Sequence, residues 1–407
     1  MTAAGIDITG AVSAANTDLD ASGGNLTDMG GSLSVPGTST LTVTGTDVMT
    51  LDGSNDFGSV QVSAGMGTAT LVDVNAIDVG ASTAGGRLDI TADAINLIGS
   101  VTADSADLDA STGAGDITDT GGDLTVAGTT LLAGAAGDSI SLDAATNDFD
   151  SDGSGDAVTA TGTLAALTLR DEDDIVLGGA SATATMTITA AGTITQTGAL
   201  TGGASTTLNA GGTATTTNDI TLTQTSNDFG DVTVTGGNVA LTDTNLLTFD
   251  DTSTIGGTLT LSATGITDTA SSSITVGGAA DLDGTTSAIT LDAGRDFQSG
   301  VTLNTSSNAV INDTSGFQFA GTSTVSGTLS VTAGGTITNT ATADLAAGAT
   351  TFDAGTNAIT LGTQTNTFNF AEPGSHWWRR NGSRGLGIDA GGPVGRQPRS
   401  DQQRRDR

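Results

Sequence analysis

The 407-residue chain contains 60 Gly, no Cys, no Lys and no Tyr, and its 45 acidic residues outnumber its 11 basic ones, giving a net charge of −34. The lack of Cys excludes disulfides and thiolate metal sites, and the charge argues against nucleic acid and anionic membranes, which attract clustered Lys and Arg. No apolar run reaches the ~20 residues of a membrane-spanning helix, and residues 1–16 lack the basic start and apolar core of a secretory signal.

A Phe-centred signature recurs along the chain. Its complete copies are Asn55–Phe57, Asn147–Phe149 and Asn227–Phe229, and weaker copies stand at Arg295–Phe297 and Asn366–Phe368. The strand-like segments around the later copies also correspond in order. Self-similarity at so long a period indicates a stack of copies of one supersecondary unit.

Between these copies, runs of three to five residues rich in Val, Ile, Leu and Thr recur every seven to nine residues. Gly, Asn, Asp or Ser separates them, as expected of short strands joined by tight turns. Three such strands predict a coil of about 23 residues. We therefore predict an all-β parallel β-helix (β-solenoid), with Ile, Leu, Val and Ala inside and Thr, Ser and Asp outside.

Two side-chain patterns have an interpretation within this fold. The Phe of each signature is expected to fill the interior at a corner, with the neighbouring Asn or Gly permitting a left-handed turn. Outward Thr pairs would form a flat ice-binding type of face only if they recurred once per coil. Thr187–Thr189 and Thr193–Thr195 are six residues apart, so the spacing predicts no regular array.

One loop has the spacing of a calcium site. Asp148, Asp150 and Asp152 fall at alternate positions and are followed by Gly and then Asp156, which lets a tight loop bring several oxygens to one hard cation. The twelfth position is Thr159 and no helices flank the loop, so an EF-hand is excluded. We predict a weak calcium site at these four residues. The alternative is a charged, solvated loop.

A second acidic stretch, Asp171–Asp174, is a lesser calcium candidate, and calcium is the single candidate cofactor. Catalytic candidates are scarce. Residues 1–370 contain no His, Lys, Tyr or Trp, and Glu172 is their one Glu, whereas acid–base catalysis depends on such groups. The sequence therefore predicts a protein that is not an enzyme.

The composition changes after Phe370. Residues 1–370 carry a net charge of −38, whereas residues 371–407 contain eight Arg and four acids and carry +4. One interpretation is a basic tail that binds an acidic partner. Under this interpretation and the one that follows, residues 1–370 are predicted to form the solenoid. Residues 371–407 are predicted to be disordered, because they have no strand pattern.

The other interpretation is that the tail is repeat sequence translated out of frame. A shift of one base turns the codons of Trp377 and Trp378 into Gly codons, and that of His376 into a Thr or Ile codon. The result, Thr-Gly-Gly, matches the repeat at Thr235–Gly237. We favour this frameshift interpretation.

The phrases at 227–239 and 191–200 resemble the repeats of filamentous-haemagglutinin-like adhesins, large bacterial surface proteins exported by two-partner secretion or as autotransporters. The resemblance implies a right-handed parallel β-helix stalk displayed outside the cell. The chain lacks the signal peptide, amino-terminal secretion domain and membrane barrel of such proteins, so it resembles an internal piece of one.

The predicted function is therefore a structural and adhesive stalk segment of an extracellular or cell-surface protein. The alternative is a matrix or surface-layer type of protein whose Asp-rich turns are bridged by calcium. The expected partners are a host or neighbouring cell surface or glycan. Other copies of the chain are also expected to associate through exposed solenoid ends, where strand edges are unpaired.

Overall fold

The computed structural model describes residues 1–211 and 217–362 and the backbone of 367–369. All regular structure in these residues is β, and the strand pairings are parallel. The weak signature at Asn366–Phe368, apart from its backbone at 367–368, and the tail at 371–407 lie outside the described residues. The strands are β1 (Ile6–Asp7), β2 (Ala11–Ser13), β3 (Thr17–Ala21), β4 (Leu26–Thr27), β5 (Ser32–Val43), β6 (Met49–Ala64), β7 (Ala69–Asp73), β8 (Ala76–Val79), β9 (Ser82–Thr91), β10 (Ala94–Leu97), β11 (Ser100–Ala110), β12 (Ile117–Thr118), β13 (Asp123–Val126), β14 (Thr130–Gly134), β15 (Ser139–Leu142), β16 (Val158–Thr161), β17 (Leu164–Asp171), β18 (Ile175–Ala190), β19 (Ile194–Gln196), β20 (Leu200–Thr201), β21 (Ser205–Ala210), β22 (Ile220–Leu222), β23 (Asp231–Gly236), β24 (Val239–Thr242), β25 (Leu246–Phe249), β26 (Thr252–Ile255), β27 (Leu259–Ser262), β28 (Gly265–Asp268), β29 (Ser273–Val276), β30 (Ala280–Asp283), β31 (Ile289–Phe297), β32 (Gly300–Thr305), β33 (Ala309–Asp313), β34 (Phe317–Phe319), β35 (Thr322–Val325), β36 (Leu329–Ala333), β37 (Ile337–Asn339), β38 (Asp344–Asp353), β39 (Ile359–Thr360) and β40 (Thr367–Asn369).

Two rows of strands run unbroken along the solenoid. Face 1 is a row of eighteen paired strands: β1, β4, β6, β7, β9, β11, β14, β16, β18, β19, β22, β24, β27, β30, β32, β34, β37 and β39. Face 2 is a row of seventeen: β3, β5, β6, β8, β10, β12, β15, β17, β18, β21, β23, β25, β28, β31, β33, β36 and β38. Strands shared by both rows bend at a corner. At ~4.8 Å per step, face 1 spans about 80 Å.

These rows confirm the predicted β-solenoid, while the turn length varies more than the predicted coil of about 23 residues. Paired residues are as few as 17 positions apart, at Asp231 and Thr248, and as many as 28 apart, at Thr130 and Val158. Along face 1, the 353 positions from Ile6 to Ile359 are covered in seventeen steps, or about 21 residues per turn. Turns are shorter than expected because many corners take only one to three residues.

The interior is a continuous apolar column. In a typical strand such as β13, side chains alternate between buried and partly exposed positions, and the inward Leu124 and Val126 are fully buried. The signature residues Phe57, Phe149, Phe229 and Phe297 are at most 2% exposed, which confirms that they fill the interior. Burying such rings contributes favourably through the hydrophobic effect.

The Thr pairs do not recur once per turn, since Thr189 pairs with Arg170 and Asn209, but single outward hydroxyls do align on part of face 2. Six outward hydroxyl residues pair in register on successive turns, and all are partly exposed: Thr118, Ser141, Thr168, Thr187, Thr207 and Thr233. Neighbouring members of this rank are 19 to 27 positions apart. The uneven turn length therefore hides the alignment from a reading of sequence spacing.

The third side of each turn changes position along the rod. It consists of five short segments: β2–β5–β6, then β6–β9–β11–β13, then β17–β18–β20, then β23–β26–β29–β31, and finally β32–β35–β38–β40. In chain order, the first, third and fifth segments follow face 1 and precede face 2. The second and fourth follow face 2 and precede face 1.

Each of the first four segments ends at a signature Phe. Phe57 and Phe297 are the last paired residues of the first and fourth segments. Asp148 and Asp228, each directly before a signature Phe, make the last bridges of the second and third. We call these four points face switches, because the third side stops there and restarts on the other side of the turn.

The expected left-handed turn at the signature is wrong. Among the described residues, Asp251 is the one non-Gly residue with positive φ, and neither the signature Asn residues nor Gly58 and Gly230 adopt it. Asn55, Asn147 and Asn227 are instead fully buried. Their side chains are held by hydrogen bonds, so polarity rather than backbone freedom explains Asn here.

We expect Phe229→Ala to lower the free energy of unfolding by about 3–5 kcal/mol, because it empties a ring-sized space at the third face switch. Thr221→Ala on the outer side of face 1 is the matched control and should change stability by less than about 0.5 kcal/mol. Urea unfolding followed by circular dichroism checks both. Similar midpoints for the two variants would contradict the role of the ring.

Candidate functional site

The second face switch differs from the others by an inserted acidic loop, residues 150–157. At the first and third switches, the next inward Val, Val60 or Val232, lies three positions after the signature Phe, and at the fourth switch Val301 lies four positions after it. At the second switch Val158 lies nine positions after Phe149. The loop is therefore an addition to a face switch, and the other three face switches form without such a loop.

Each face switch is closed by a buried Asp from the following turn. At the second switch, the Phe149 N–H donates to Asp171 Oδ2 at 3.0 Å and the Asp173 N–H donates to Asp171 Oδ1 at 2.9 Å. Such a carboxylate supplies acceptors for N–H groups that the ended segment leaves unpaired. The same two bonds recur at Asp73 from Phe57 and Asn75 (2.5 and 2.9 Å), at Asp243 from Phe229 and Asn245 (2.7 and 2.6 Å), and at Asp313 from Phe297 and Ser315 (3.1 and 2.7 Å). We call Asp73, Asp171, Asp243 and Asp313 the cap aspartates.

The signature Asn links each of the first three switches to the preceding turn by hydrogen bonds of its side chain. Asn147 Oδ1 accepts the Leu124 N–H at 2.8 Å, and Asn147 Nδ2 donates to Asp119 Oδ2 at 2.8 Å. Asn55 makes the equivalent bonds with Leu33 and Asp28, and Asn227 with Leu200 and Gln196. The amide fits because it offers one acceptor and two donors at a buried point.

The fourth switch replaces this Asn by Arg295. Its guanidinium forms an ion pair with Asp268, and both side chains are fully buried. Burial lowers the pKa of Arg295 to about 10. Since a buried charge needs a partner, this switch depends on the ion pair where the others depend on an amide.

The second switch also has an unusual pair of acids. At the other three switches, a donor side chain two residues after the cap aspartate bonds to the signature Asp: Asn75 to Asp56 (3.0 Å), Asn245 to Asp228 (3.0 Å) and Ser315 to Asp296 (2.8 Å). At the second switch that position is Asp173, which faces Asp148. Oxygens of Asp148, Asp171 and Asp173 all lie within 4.8 Å of one another. A carboxylate thus stands where the other switches have a donor.

The acidic loop is held by its own backbone. The Asp150 carboxylate accepts the N–H groups of Ser154 at 3.1 Å and Gly155 at 2.7 Å. Gly153 and Gly155 have φ of 69° and 86°, a left-handed conformation that Gly adopts without steric cost, and the loop can therefore fold back on Asp150. Oxygens of Asp150, Asp152 and Asp156 also lie within 4.8 Å of one another.

The four predicted calcium ligands therefore fall into two neighbouring groups. Asp150, Asp152 and Asp156 form one, and Asp148 joins Asp171 and Asp173 of the second predicted stretch in the other. A cleft of about 200 Å³ lies between the loop and that stretch and is lined partly by Asp150, Asp173 and Asp174. Sequence spacing treats the two stretches separately, whereas stacking of successive turns brings them together.

Burial and mutual repulsion shape the titration of these acids. Burial raises the pKa of Asp171 to about 7, and neighbouring Asp173 adds to the effect. Burial, followed by the charges of Asp173, Glu172 and Asp150, raises the pKa of Asp148. Hydrogen bonds from Ser154 lower the pKa of exposed Asp152. Burial also raises the pKa of the other cap aspartates, Asp73, Asp243 and Asp313.

The oxygens of this site suit a hard cation such as calcium, which takes six to eight oxygen ligands. The ion pairs of the described residues involve Arg87 and Arg295, and none includes an acid of the second switch. Both oxygens of Asp150 and of Asp171 already accept backbone N–H groups. The cleft is smaller than the roughly 300–1,000 Å³ of drug-sized ligand pockets.

Sequence reasoning missed the cap aspartates. They stand 14 to 22 residues after their Phe, each as the first residue of an Asp-x-Asn, Asp-x-Asp or Asp-x-Ser triplet. That triplet was a usable signal, because Asp in such a turn accepts the N–H two residues ahead. No nearby sequence pattern, however, indicates which Phe of the previous turn donates its N–H to that Asp.

The chain belongs to a family described as repeats of unknown function (DUF5649). The family model matches residues 1–64, 93–156, 163–235, 236–304 and 306–371. The first four matched stretches end six or seven residues after Phe57, Phe149, Phe229 and Phe297, and the first, third and fourth of them end where the third side restarts. The family repeat and the face switch therefore share one boundary.

No curated protein and no solved structure matches the chain. Within the described residues, no helix has the length and apolar character needed to cross a membrane. The established relationship is thus to the repeat family alone.

We expect Asp243→Ala to lower the free energy of unfolding by about 2–4 kcal/mol, because it leaves the N–H groups of Phe229 and Asn245 without an acceptor. Asp344→Ala, on an exposed part of β38, is the control and should cost less than about 0.5 kcal/mol. Chemical denaturation measures both. Equal losses would show that Asp243 acts only through its charge.

We expect the solenoid to become more stable as the pH falls from about 7 towards 4. The pKa of Asp171 is about 7 in the folded chain against 3.8 for a free Asp. The folded state therefore holds a proton that the unfolded state releases, and the resulting stability, present below pH 3.8, is lost as pH rises through 7. One pKa unit corresponds to about 1.4 kcal/mol, so Asp171 contributes at most about 4 kcal/mol of this change.

Asp171→Asn should flatten the pH dependence between about 4 and 7, even though it loses one of the two cap hydrogen bonds. Asp344→Asn should leave the slope unchanged. Thermal unfolding across this range gives the slopes. Identical slopes for Asp171→Asn and the unaltered chain would contradict the raised pKa.

Proposed function

We propose that the chain is a spacer, a stalk segment of a bacterial surface or secreted adhesin of the filamentous-haemagglutinin-like kind. The supporting observation is that faces 1 and 2 continue without interruption from Ile6 and Thr17 to Thr360 and Asp353. Two unbroken parallel ladders give a rod whose length follows from the number of turns. Each turn contacts mainly its neighbours, so such a rod extends without a larger core.

We propose that the chain is not an enzyme, because its clustered acids already have structural tasks. The carboxylates of Asp150 and Asp171 each accept two backbone N–H groups. A general acid or base needs a carboxyl oxygen free for the substrate. Asp152 is exposed, but its lowered pKa makes it a poor proton donor near neutral pH.

We further propose an extracellular or cell-surface location and, as partner, a host or neighbouring cell surface or glycan. The outward ranks are rich in Thr, Ser and Asp, as in the hydroxyl rank from Thr118 to Thr233. The net charge of −34 keeps such rods soluble and apart from one another. The resemblance of residues 191–200 and 227–239 to adhesin repeats supports this location.

Antibodies raised against the purified chain should label intact cells of its source organism, because the stalk is displayed outside. An antibody against a cytoplasmic protein of the same cells is the control and should label only permeabilised cells. Small-angle scattering should show an elongated particle with a solenoid about 80 Å long. Labelling that requires permeabilisation would reject surface display, and a compact particle would reject the spacer.

A second candidate function is a matrix or surface-layer type of protein whose rods are bridged by calcium. The observation that favours it is the meeting of Asp150, Asp152 and Asp156 with the group of Asp148, Asp171 and Asp173. The pKa of Asp148 is raised first by burial and then by the charges of Asp173, Glu172 and Asp150, and calcium between such groups would relieve that repulsion. Extracellular calcium sites commonly work near 10⁻⁴–10⁻³ M, a range open to a weak site.

If calcium binds the acidic loop, millimolar calcium should raise the melting temperature and light scattering of the purified chain. The double variant Asp152→Asn/Asp156→Asn should lose both responses, and Asp344→Asn should keep them. Magnesium should act more weakly because it demands near-octahedral geometry. An equal response in all three proteins would indicate general charge screening, and no response would remove this candidate.

A further inference from the structure

The four face switches share three hydrogen bonds although their sequences differ. Each joins a signature residue, a buried Phe and a cap aspartate by the same two N–H bonds to carboxylate oxygens. A third bond also recurs. The residue after the cap aspartate donates its N–H to the carbonyl of the signature Asn or Arg: Val74 to Asn55, Glu172 to Asn147, Thr244 to Asn227 and Thr314 to Arg295.

The long faces exchange roles at each switch. After Phe229, the chain enters face 2 at Val232, starts a new third segment at Thr235 and then enters face 1 at Val239. After Phe297, it enters face 1 at Val301, starts a third segment at Asn304 and then enters face 2. The order is the same, with faces 1 and 2 interchanged.

We propose that each face switch is an exchangeable joint, so that the rod can gain or lose one whole repeat at a switch while both long faces remain continuous. A chain joined after one signature Phe to the residue that follows another meets equivalent partners on both sides of the junction. The inference goes beyond the proposed function, because it rests on hydrogen bonds and register and not on where the rod is displayed.

The junction that removes residues 230–297 shows how closely the partners match. Val301 would replace Val232 opposite Thr206, and Leu303 would replace Val234 opposite Leu208. On the next strand, inward Ala309 and Ile311 would replace Val239 and Leu241 opposite Ile220 and Leu222. Each replacement is an apolar residue that is buried in its own turn.

The same junction also places a cap aspartate after Phe229. Asp313, which now accepts the Phe297 N–H, would stand 16 residues after Phe229, compared with 14 residues for Asp243. The removed stretch holds three turns, since face 1 takes three steps from Val239 to Val301. At ~4.8 Å per step, the rod would shorten by about 14 Å.

The test compares the full chain with a variant lacking residues 230–297 and a variant in which residues 230–297 occur twice. We expect both variants to keep the β circular dichroism of the full chain. Small-angle scattering should give rods about 14 Å shorter and about 14 Å longer. In the deletion variant, Asp313→Ala should lower the melting temperature more than Asp344→Ala, because Asp313 has become the cap of Phe229.

A deletion of residues 88–105 is the matched control. It removes one turn between the register partners Leu88 and Ala106 and touches no signature Phe or cap aspartate. If both repeat variants are unfolded or aggregated, the proposal is overturned. A folded control in that case would show that joining the chain at a face switch, and not the loss of turns, prevents folding. Folded variants whose rod length does not change by three turns would overturn it as well.

Discussion

The constraint on which this structure depends is that a buried backbone N–H must have an acceptor. The third side of the solenoid stops at Phe57, Phe149, Phe229 and Phe297, and each of these residues is almost fully buried. Without a following strand, each Phe N–H would lack its partner at a cost of about 1–3 kcal/mol. A carboxylate from the next turn replaces the missing strand, and the buried acid then carries a raised pKa. Faces 1 and 2 need no such carboxylate at these points, because both continue through all four switches in the described residues.

Two of the four switches depart from the common pattern in opposite electrostatic directions. The fourth introduces a cation, Arg295, whose charge is paired with that of buried Asp268. The second places Asp173 opposite Asp148, where the other switches have Asn or Ser, and adds the acidic loop. Its negative charge is left to solvent, a proton or a cation. Asp173 and the acidic loop thus bring two groups of neighbouring acids to a structural joint.

Much of the fold follows from the sequence, because strand period and long repeats depend on residues close together in the chain. The alternation in segments such as β13 and the burial of Phe149 could be predicted in this way. The cap aspartates could not, since Asp171 meets Phe149 across 22 residues and the equivalent distance at Asp243 is 14. Turn lengths of 17 to 28 residues likewise conceal the Thr rank and the meeting of the two acidic stretches. Which residues meet across successive turns depends on the strand register, and composition does not reveal it.

The exchange of faces has a consequence for any partner of the rod. Val232 lies in face 2 and the equivalent Val301 lies in face 1, while Val60 and Val158 alternate in the same way. A surface residue at a fixed position of the repeat therefore points to different sides in successive repeats. A partner that recognises one repeat surface meets it again on the same side only two repeats later. Regular contacts along one side must instead use outward residues of different repeat positions, as the registered hydroxyls from Thr118 to Thr233 on face 2 do.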